Sequence, residues 1–527
     1  MDLPTLPFVS IITVNFNGKF FLKNLFNSLL DLNYPKEKLQ IIMVDNGSTD
    51  DSVSFVKENY PFVEIIKNKE NKGFAEGNNI GIKAANGEFI ALINNDCVVD
   101  SQWLLELVKG FAEKENGFNV ISNSDNDKNT NSSKNFNRKD SKLGQKNLKV
   151  GGMGSKVLFY FKYIPLTIVL KKEDAELLKK EGTEELFKNN NCFFEEPKIK
   201  LSNKGLSDLK DLLDAEENYV KKLIEFANGS IKYTLGFGLP QKGELGNLLF
   251  KIKDKAQFAV PIIHENIDLE IEINLHNLDK KSEITFLLGQ KILLKKNVSY
   301  SDEKINLVIS SDEYKKAQYI INSFGSKINK SFYAKEIGYE EYEDSFFTGT
   351  FNSLAGDEKI KEVFALPGTS FLIKRNVIDE IGLFDRWFFT YYEDIDFFFR
   401  ARLKGYRFFV TKDSAIRHFH CGTGIEWSYS FTYYVLRNRL LMIYKNVWKR
   451  AFLKNYFNFL ASAIVNLLYA VYRRLRGDKI NRIDIPIRVR IIFEFFILFL
   501  VKFPERVKIR KSKVIKDEEI IKWQENF

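Results

Sequence analysis

Cysteine and histidine are scarce in this chain of 527 residues, and their scarcity excludes several kinds of site. The three cysteines, Cys97, Cys192 and Cys421, follow no spacing typical of a zinc site or a disulfide framework. We therefore expect a reducing compartment. With only four histidines, few positions can supply an imidazole to a metal ion or to a proton transfer.

Signatures of several other protein classes are missing as well. No GxGxxG stretch opens the first strand-to-helix turn, and no GxxxxGK[ST] stretch occurs anywhere in the chain. Their absence argues against a dinucleotide enzyme and against a P-loop NTPase. The segment 1–7 has neither a basic flank nor an apolar run, so we expect no signal peptide there.

Basic residues are in excess, with a net charge of +10 and a pI near 9.0. This charge suits an anionic partner: a nucleic acid, a phosphorylated substrate or a membrane surface. The basic residues concentrate beside apolar runs near the carboxy terminus, without the interleaved aromatic-basic grooves of single-strand binders. We therefore expect no nucleic-acid partner.

The hydropathy pattern predicts an α/β fold with an insertion. Apolar runs alternate with helical segments over 8–116, which is typical of a mostly parallel sheet buried on both faces. Charged helices and then alternating strands follow, and they predict an inserted domain of helices and antiparallel β structure. The predicted domains are 1–162 and 319–440 as two parts of one α/β domain, 163–318 as the insertion, and 441–527 as basic amphipathic helices.

Individual elements are predicted from the same pattern. Turn and N-cap chemistry predicts helices at 19–30 and 75–85, and one that begins after Asp50. The polar stretch 120–147 predicts a long loop. The other predicted elements are strands at 63–67, 154–161, 269–275, 283–288 and 304–309, and helices at 173–181, at 206–226 and beyond Phe431.

Polar residues directly follow three of the predicted strands. They are Asn15 and Asn17 after the first strand, Asp45 and Asn46 after the second, and Asn94, Asn95 and Asp96 after the strand at 88–93. In such sheets ligands bind outside the carboxyl ends of the strands, so these side chains are expected to share one edge.

The carboxylates at this edge allow more than one interpretation. Asp96 suits a hard divalent cation that keeps positions open for phosphate oxygens, but Asn and Asp also favour a simple turn. Asp45 is either a turn residue or a ligand of a nucleotide base. The loop 71–79, which is rich in glycine and amide side chains, allows close backbone approach, and Lys72 adds positive charge to it.

A second acidic cluster lies at 393–396 among aromatic residues. Carboxylates crowded in such surroundings have perturbed pKa values, which suits a general base. The same residues would also favour a helix N-terminus, and Asp396 with Arg400 forms an i,i+4 pair. We expect both: Asp394 as the base and Asp396 as a structural residue. His418, after a predicted strand, could complete a metal site, whereas His420 is expected to be structural or exposed.

Together these segments resemble the inverting nucleotide-sugar glycosyltransferases of family 2. The resemblance rests on SIITVNFNG at 10–18, VDNGSTD at 44–50, NKGFAEGNN at 71–79, NND at 94–96 and YYEDID at 391–396. The segments SFLIKR at 370–375, GLFD at 382–385 and YVLRNR at 434–439 resemble the rhamnosyltransferase-like branch of that family.

The resemblance implies a GT-A fold, a Rossmann-like mostly parallel sheet, with 1–162 binding the nucleotide and 319–440 supplying the base and acceptor side. It implies a nucleotide diphosphate sugar donor, a Mg²⁺ or Mn²⁺ cofactor, Asp96 and His418 as metal ligands, Asp394 as the base and Glu393 as its support. Asn94 stands at the first acidic position of the family's Asp-x-Asp. The residues implied in donor binding are Thr13, Val14, Asn15, Asn17, Asp45, Asn46, Lys72, Gly73, Phe74, Asn94 and Asn95.

The remaining regions leave alternatives open. The insertion either binds the growing glycan or a partner enzyme, or it is a spacer. The apolar segments 451–472 and 491–503, with basic flanks, predict helices lying on an anionic membrane, or alternatively a packed helical pair or a homodimer contact. We expect a cytoplasmic enzyme at the inner face of the plasma membrane that builds a surface glycan on a glycan or lipid-linked acceptor. A catalytically silent glycan-binding protein of the same fold is the main rival.

Overall fold

A computed structural model describes most of the chain. The described residues are 6–124, 149–172, 192–213, 215–242, 248–278, 282–298, 301–355, 358–420, 428–476 and 484–527. The predicted helix at 173–181 and most of the predicted loop at 120–147 lie outside them. Residues 120–124 are helical, as the last turn of a long helix.

The described strands are numbered in chain order. They are β1 Val9–Asn15, β2 Leu39–Asp45, β3 Val63–Lys67, β4 Phe89–Ile93, β5 Cys97–Val99, β6 Lys149–Lys172, β7 Phe193–Glu195, β8 Lys198–Lys200, β9 Lys232–Lys242, β10 Leu248–Ile262, β11 Leu269–His276, β12 Ser282–Leu288, β13 Lys291–Asn297, β14 Glu303–Ile309, β15 Gln318–Ser323, β16 Ser326–Asn329, β17 Ala334–Glu336, β18 Ile360–Val363, β19 Ser370–Lys374, β20 Tyr406–His418 and β21 Gln524–Glu525.

The longer described helices are numbered in the same way. They are α1 Lys19–Leu30, α2 Ser52–Asn59, α3 Gly73–Ala84, α4 Trp103–Ser124, α5 Asn203–Leu213, α6 Glu217–Asn228, α7 Arg375–Ile381, α8 Glu393–Leu403, α9 Tyr429–Asn446, α10 Lys449–Leu475, α11 Asp484–Lys511 and α12 Asp517–Ile521.

The chain forms two compact units, the first of which comprises residues 1–160, 321–339 and 346–527. Its central sheet is parallel from β3 through β2 and β1 to β4, and β19 then pairs antiparallel with β4. The sheet continues through β6, which pairs antiparallel with β19 and parallel with β20. Strands β1, β2 and β4 are apolar and almost entirely buried, as expected where helices cover both faces.

The second unit comprises 161–320 and 340–345, and its described residues form an antiparallel β structure together with helices α5 and α6. In it the second half of β6 pairs with β10 and β12, and β11 pairs with β14. Strand β11 alternates between buried and partly buried residues, which confirms the period-two pattern predicted there. The hairpin partner of β12, strand β13, was not predicted from the sequence.

The fold class is as predicted: α/β with a mostly parallel central sheet, an antiparallel β insertion and C-terminal helices. The domain boundaries stay a prediction; in the structure the helices beyond 441 belong to the first unit and 340–345 to the second. Three element predictions were wrong in extent. The predicted helix 206–226 is two helices because Glu216 takes an extended backbone, helix α3 begins at Gly73, and β6 is far longer than 154–161.

The C-terminal helices pack on helix α8 of the first unit and on one another. The buried Lys445 of α9 contacts Asp396 of α8 at 3.0 Å, and Tyr444 donates a hydrogen bond of 2.8 Å to the carbonyl oxygen of Phe499 on α11. Among the described helices, none combines the length and the hydropathy that crossing a bilayer requires.

Candidate active site

The predicted strand-end residues meet at one edge of the central sheet. Asn15 and Asp45 are direct neighbours in the β1–β2 register, and the Asn15 Nδ2 atom lies 3.4 Å from Asp45 Oδ1. From the end of β4, Asn95 donates a hydrogen bond of 2.8 Å to Asn15 Oδ1. All three side chains are buried, so their polar groups form a fixed network rather than a solvated rim.

Asn46 connects this edge to the loop before α3. Its Nδ2 donates a hydrogen bond of 3.0 Å to the carbonyl oxygen of Gly73, and its Oδ1 accepts a hydrogen bond of 2.8 Å from the side chain of Asn68. Gly73 has a φ of +80°, and a Cβ there would lie 2.5 Å from the ring of Phe389. Only glycine fits both the backbone angle and the contact, so the loop 71–74 closes against the chain ahead of the acidic cluster.

Four further donor-binding predictions differ in what their side chains offer. Lys72 is exposed and lies 3.5 Å from Glu70, and Phe74 is half-buried. Val14 is partly exposed and packs against Gly77 of α3, and the hydroxyl of Thr13 is buried. Both residues also pair with β2, so neither offers a free polar group to a ligand.

Asn17 shapes the loop after β1. It has a φ of +51°, and its Oδ1 accepts 2.8 Å from the backbone of Thr49. The loops that follow β1 and β2 are therefore held together by a residue in the left-handed conformation that asparagine tolerates.

Asp96 and His418 are far apart in the sequence but lie together in the structure. His418 Nε2 is 3.2 Å from Asp96 Oδ1, because β20 pairs with β5 in the register His418 to Cys97. Burial raises the pKa of Asp96, but His418 outweighs burial and holds it below its usual value. Cys97 lies in the same cluster, and burial raises the pKa of its thiol. A thiol is a softer ligand than Mg²⁺ or Mn²⁺ prefers, so the donor set for such an ion is one carboxylate and one imidazole.

Glu393 and Asp394 begin helix α8 at the same end of the sheet. Asp394 is partly exposed, and its Oδ1 accepts 2.7 Å from the backbone of Ile395. A Cβ on Gly368 would lie 2.7 Å from Asp394 Oδ2, and the next residue, Thr369, accepts 3.0 Å from the backbone of Asn94. The loop 367–369 therefore joins the Asp394 carboxylate to the strand end that carries Asn94 and Asp96.

Burial makes these carboxylates unusually basic. It raises the pKa of Asp394 to about 6, and burial together with the Asp394 charge raises the pKa of Glu393 well above its ordinary value. One oxygen of Glu393 is buried without a hydrogen-bond partner among the described residues. Burial also raises the pKa of Glu336, to about 7, and the charge of Asp394 adds to the rise.

Glu336, Gly368 and Asn438 were not predicted as site residues. Ser323 and Ser326 both donate hydrogen bonds to Glu336. No local motif marks Glu336 or Gly368, because their role comes from long-range proximity to Asp394. Asn438 lies in the YVLRNR segment, but that segment suggested no role for it.

Asn438 holds the backbone that leads into Glu393 and Asp394. Phe389, Tyr391 and Tyr392 all have positive φ angles, between 62° and 68°. Asn438 is fully buried on α9, and its Nδ2 lies 2.8 Å from the carbonyl oxygens of residues 388, 390 and 391. Non-glycine residues in this region are strained, and strain of this kind persists only where the surroundings enforce it.

Asp396 is structural, as predicted. Its Oδ2 accepts 2.9 Å from Arg400 Nε and 3.0 Å from Lys445, and its Oδ1 accepts 2.8 Å from Asn446. Lys445 also lies 2.7 Å from Asp385. Although burial would raise the pKa of Asp385, its lysine neighbours Lys445 and Lys502 hold it well below the usual value.

A cavity of about 640 Å³ lies beside the second half of α8, away from the strand ends. Its lining includes Asp385, Lys502 and Glu505, which pair with one another. The predicted site residues do not line this cavity, and we place the active site at the strand ends instead.

Two family models match the chain. "Glycosyl transferase family 2" matches residues 10–163, and "Glycosyl transferase family group 2" matches 330–498. Each match covers about a third of the chain, so each of these two regions is similar to a glycosyltransferase family. The first matched region holds the strand-end network and Asp96, and the second holds Asp394 and His418, so this site is built from both.

Several curated relatives are glycosyltransferases. Glycosyltransferase AglE of Haloferax volcanii is 33% identical over 103 residues, 19% of this chain and 34% of that protein. A poly(ribitol-phosphate) beta-glucosyltransferase of Bacillus spizizenii is 33% identical over 101 residues, 18% of this chain and 16% of that protein. The chain thus matches at most about a third of these two relatives' length. The rhamnosyltransferase-like branch is not confirmed by these matches.

Solved structures of glycosyltransferases also align, but weakly. Mannosyltransferase PcManGT from Pyrobaculum calidifontis, in complex with GDP-Man and Mn²⁺, has a TM-score of 0.34 at 11% identity, covering 93% of this chain and 86% of that one. GalNAc-T7 with UDP, GalNAc and Mn²⁺ has a TM-score of 0.39 at 10% identity, covering 84% and 51%. Similarity at this level says nothing about substrate.

Proposed function

We propose that the protein is an inverting glycosyltransferase that moves a sugar from a nucleoside diphosphate sugar to a hydroxyl group of a glycan or lipid-linked glycan. The observation that carries the proposal is the Asp394 carboxylate, which is partly exposed and lies beside the loop that contacts the strand end of Asn94 and Asp96. A base and an anion-binding edge at one place are what a single displacement at the anomeric carbon requires.

The reaction then runs in one step. Asp394 takes the proton of the acceptor hydroxyl, whose oxygen forms a bond to the anomeric carbon of the donor. The bond from that carbon to the diphosphate breaks, and the diphosphate leaves with the electron pair. Attack from the face opposite the leaving group inverts the anomeric configuration. A base whose pKa is about 6 can accept this proton near neutrality.

The strand-end network is the proposed donor site. Asn15, Asp45 and Asn46 form its floor, and the loop 71–74 with Lys72 forms one wall. Asp45 is the proposed contact of the nucleotide base, because one of its carboxylate oxygens accepts only a long 3.2 Å contact from the backbone of Ser48. Lys72 is exposed and adds positive charge at the edge where the diphosphate would lie.

The residues present fit a divalent metal ion. Asp96 and His418 would hold it, since a carboxylate and an imidazole 3.2 Å apart leave further positions for phosphate oxygens. Bound Mg²⁺ or Mn²⁺ would stabilise negative charge on the departing diphosphate. The neutral Cys97 thiol is a soft ligand that neither ion prefers.

The finer specificity rests on similarity alone. The segments at 370–375, 382–385 and 434–439 resemble the rhamnosyltransferase-like branch, and we propose a hexose or deoxyhexose donor such as a nucleotide-linked rhamnose. One relative is named a poly(ribitol-phosphate) beta-glucosyltransferase, which supports a surface polysaccharide as the acceptor. The exposed ring of Tyr391, two residues before the acidic cluster, offers a contact surface for acceptor sugars.

We also propose that helices α10 and α11 bind an anionic membrane surface, which would bring the enzyme to a lipid-linked acceptor at the inner face of the plasma membrane. Both helices carry large exposed apolar side chains. They are Phe457, Ile464, Val465, Leu467, Leu468, Tyr469, Val471, Tyr472 and Leu475 on α10, and Val489, Phe493, Phe496, Ile497, Leu500, Val501 and Phe503 on α11. Exposed basic residues, including Arg474, Arg476 and Lys511, accompany them.

Vesicle sedimentation tests this surface. The full-length protein is expected to bind vesicles that contain phosphatidylglycerol and to bind pure phosphatidylcholine weakly. The double variant Phe493→Ser, Leu500→Ser should lose binding, because each side chain is more than 60% exposed in the free protein. Unchanged binding by the variant, or a concentration-dependent dimer that the variant abolishes, would contradict the membrane assignment.

A donor panel with released nucleoside diphosphate as the readout tests the enzyme, with and without Mg²⁺ or Mn²⁺. Metal-dependent release from one donor, lost in Asp394→Asn, is the expected result. Asp413→Asn is a matched control, since that exposed aspartate pairs with Lys359 on the surface. Glycan binding without release from any donor would instead support a silent glycan-binding protein that keeps the fold.

A further inference from the structure

A chain of hydrogen bonds runs from the candidate metal ligands to a second histidine. His418 faces Asp96 through Nε2, and its Nδ1 lies 3.0 Å from Asn322 Oδ1. The Nδ2 of the same Asn322 side chain lies 3.2 Å from Nδ1 of His420. Asn322 is 5% exposed and lies on β15. This strand is outside both regions that match the family models, so similarity to those families assigns Asn322 no role.

The chemistry of the amide sets the direction of these bonds. An amide NH₂ only donates, so Nδ1 of His420 must accept from Asn322. An amide oxygen only accepts, so Nδ1 of His418 must carry a proton and donate it to Asn322. In the neutral imidazole, Nε2 of His418 then presents a lone pair toward the Asp96 carboxylate. Two acceptors 3.2 Å apart repel each other unless a positive charge lies between them, either the second proton of an imidazolium, which Nε2 donates to Asp96, or a bound cation in its place.

We propose that Asn322 is a positioning residue that holds His418 with its proton on Nδ1, so that Nε2 and Asp96 become paired ligands for a divalent cation. His420 fixes the orientation of the Asn322 amide and does not itself contact the cation. Outer partners of metal-bound histidines act in this way, by setting the tautomer and the ring orientation. The inference rests on the proposed function only in requiring that the site bind a divalent cation.

Mn²⁺ binding, measured by electron paramagnetic resonance of the full chain with and without UDP, tests the proposal. Asn322→Leu keeps the size of the side chain but removes its acceptor, and it should weaken Mn²⁺ binding about 10–100-fold. Asn322→Asp keeps an acceptor for Nδ1 of His418 and should stay within about threefold of wild type, because carboxylates serve as such partners.

The order of the two variants separates positioning from packing. If Asn322 only filled space, Asn322→Leu would bind Mn²⁺ as tightly as wild type. Asn322→Asp would then bind Mn²⁺ more weakly, because it introduces a buried charge. That order, or equal loss in both folded variants, would overturn the proposal. If wild type itself binds no Mn²⁺ in either condition, the proposed metal site fails as well; normal binding by both variants refutes only the role of Asn322.

A spectroscopic readout is available because the chain has only four histidines. With ¹⁵N-labelled histidine and bound Mg²⁺, the signal of His418, assigned by comparison with His418→Gln, should show a proton on Nδ1. In Asn322→Leu the same ring should shift toward the other tautomer or a mixture of the two. A proton found on Nε2 of His418 in the Mg²⁺-bound wild type would refute the assignment.

Discussion

Removing the amide of Asn438 is expected to damage catalysis more than stability. The substitution Asn438→Ala deletes an NH₂ group that lies 2.8 Å from three carbonyl oxygens, at residues 388, 390 and 391. Two hydrogens shared among three acceptors are worth about 2 kcal/mol net, at roughly 1 kcal/mol for each hydrogen bond. The free energy of unfolding should fall by about that amount.

The effect on rate follows from the strain in the same loop. Phe389 has φ 62° and ψ −64°, and Thr390 donates 2.7 Å to the carbonyl oxygen of Phe388, which makes a strained three-residue γ-turn. Tyr391 and Tyr392 also have positive φ, and each such residue costs about 1–3 kcal/mol. Without Asn438 the loop can relax to backbone angles of lower energy. Asp394, two residues beyond Tyr392, is then expected to move with the loop.

A displacement of about 1 Å at a catalytic group can cost on the order of 10²-fold in rate. We therefore expect kcat of Asn438→Ala to fall about 100-fold. KM for the donor should change less, because Asn438 does not contact Asn15, Asp45 or Asn46, although the loop 71–74 packs on Phe389. Single-turnover sugar transfer measures the effect on the chemical step, and calorimetry measures the effect on donor binding.

Leu440→Ala is the matched control, because Leu440 is fully buried on the same helix and no hydrogen bond ties it to the loop. The variant should lose about 2–5 kcal/mol in the free energy of unfolding. At assay temperatures below its melting temperature, its kcat should equal that of wild type. A folded Asn438→Ala with kcat within twofold of wild type, or a Leu440→Ala variant equally slow, would refute the reasoning.

Four further predictions test Asp394 and the buried ion pairs of helix α8. Gly368→Ala places a Cβ 2.7 Å from Asp394 Oδ2 and should lower kcat with donor binding intact, whereas Gly349→Ala, whose Cβ meets nothing within 4 Å among the described residues, should be neutral in the same assay. Because the pKa of Asp394 is about 6, kcat/KM should rise as the pH increases through about 6 and then level off; a pH-independent profile would exclude this base. The same raised pKa makes folding depend on pH. The stabilisation is fully present at pH values below 3.8, the pKa of Asp394 in the unfolded chain, and it is lost as the pH rises through about 6. Asp394→Asn should therefore melt at a higher temperature than wild type at pH 7. Lys445→Met leaves Asp385 and Asp396 without their buried cation and should cost about 3–5 kcal/mol in urea unfolding; a cost under about 1 kcal/mol would show that Arg400 and Lys502 suffice.

Local pattern was enough to predict the elements that the site depends on. Helix α1 at Lys19–Leu30 and strand β3 at Val63–Lys67 lie where apolar periodicity and turn residues place them. The meeting of Asn15, Asp45 and Asn95 followed from one rule, that the carboxyl ends of parallel strands share an edge. Asp394 at a helix start followed from acidic residues that favour the helix dipole.

What could not be predicted depends on contacts between distant segments. Asn322 reaches His418 across 96 positions, and Gly368 matters only because Asp394 occupies the space where a Cβ would be. Asn322 has no distinctive neighbourhood in sequence. The Pro367-Gly368 pair indicates a turn, but nothing in the sequence indicates that this turn contacts Asp394. The break in the predicted helix 206–226 was missed for a different reason, since no proline or glycine marks the extended Glu216.

The small sheet of β16, β17 and β21 has a consequence for how the protein is made. Residues Gln524 and Glu525 pair with β16, and β16 pairs with β17, which ends at Glu336 beside the proposed base. Lys327 and Glu525, 2.7 Å apart, are separated by 198 positions. At about 5–20 residues per second a ribosome needs about 10–40 s to cover that distance. A nascent chain that ends before residue 524 therefore lacks strand β21, and the strand pair β16–β17, which carries Glu336, then has one partner strand fewer.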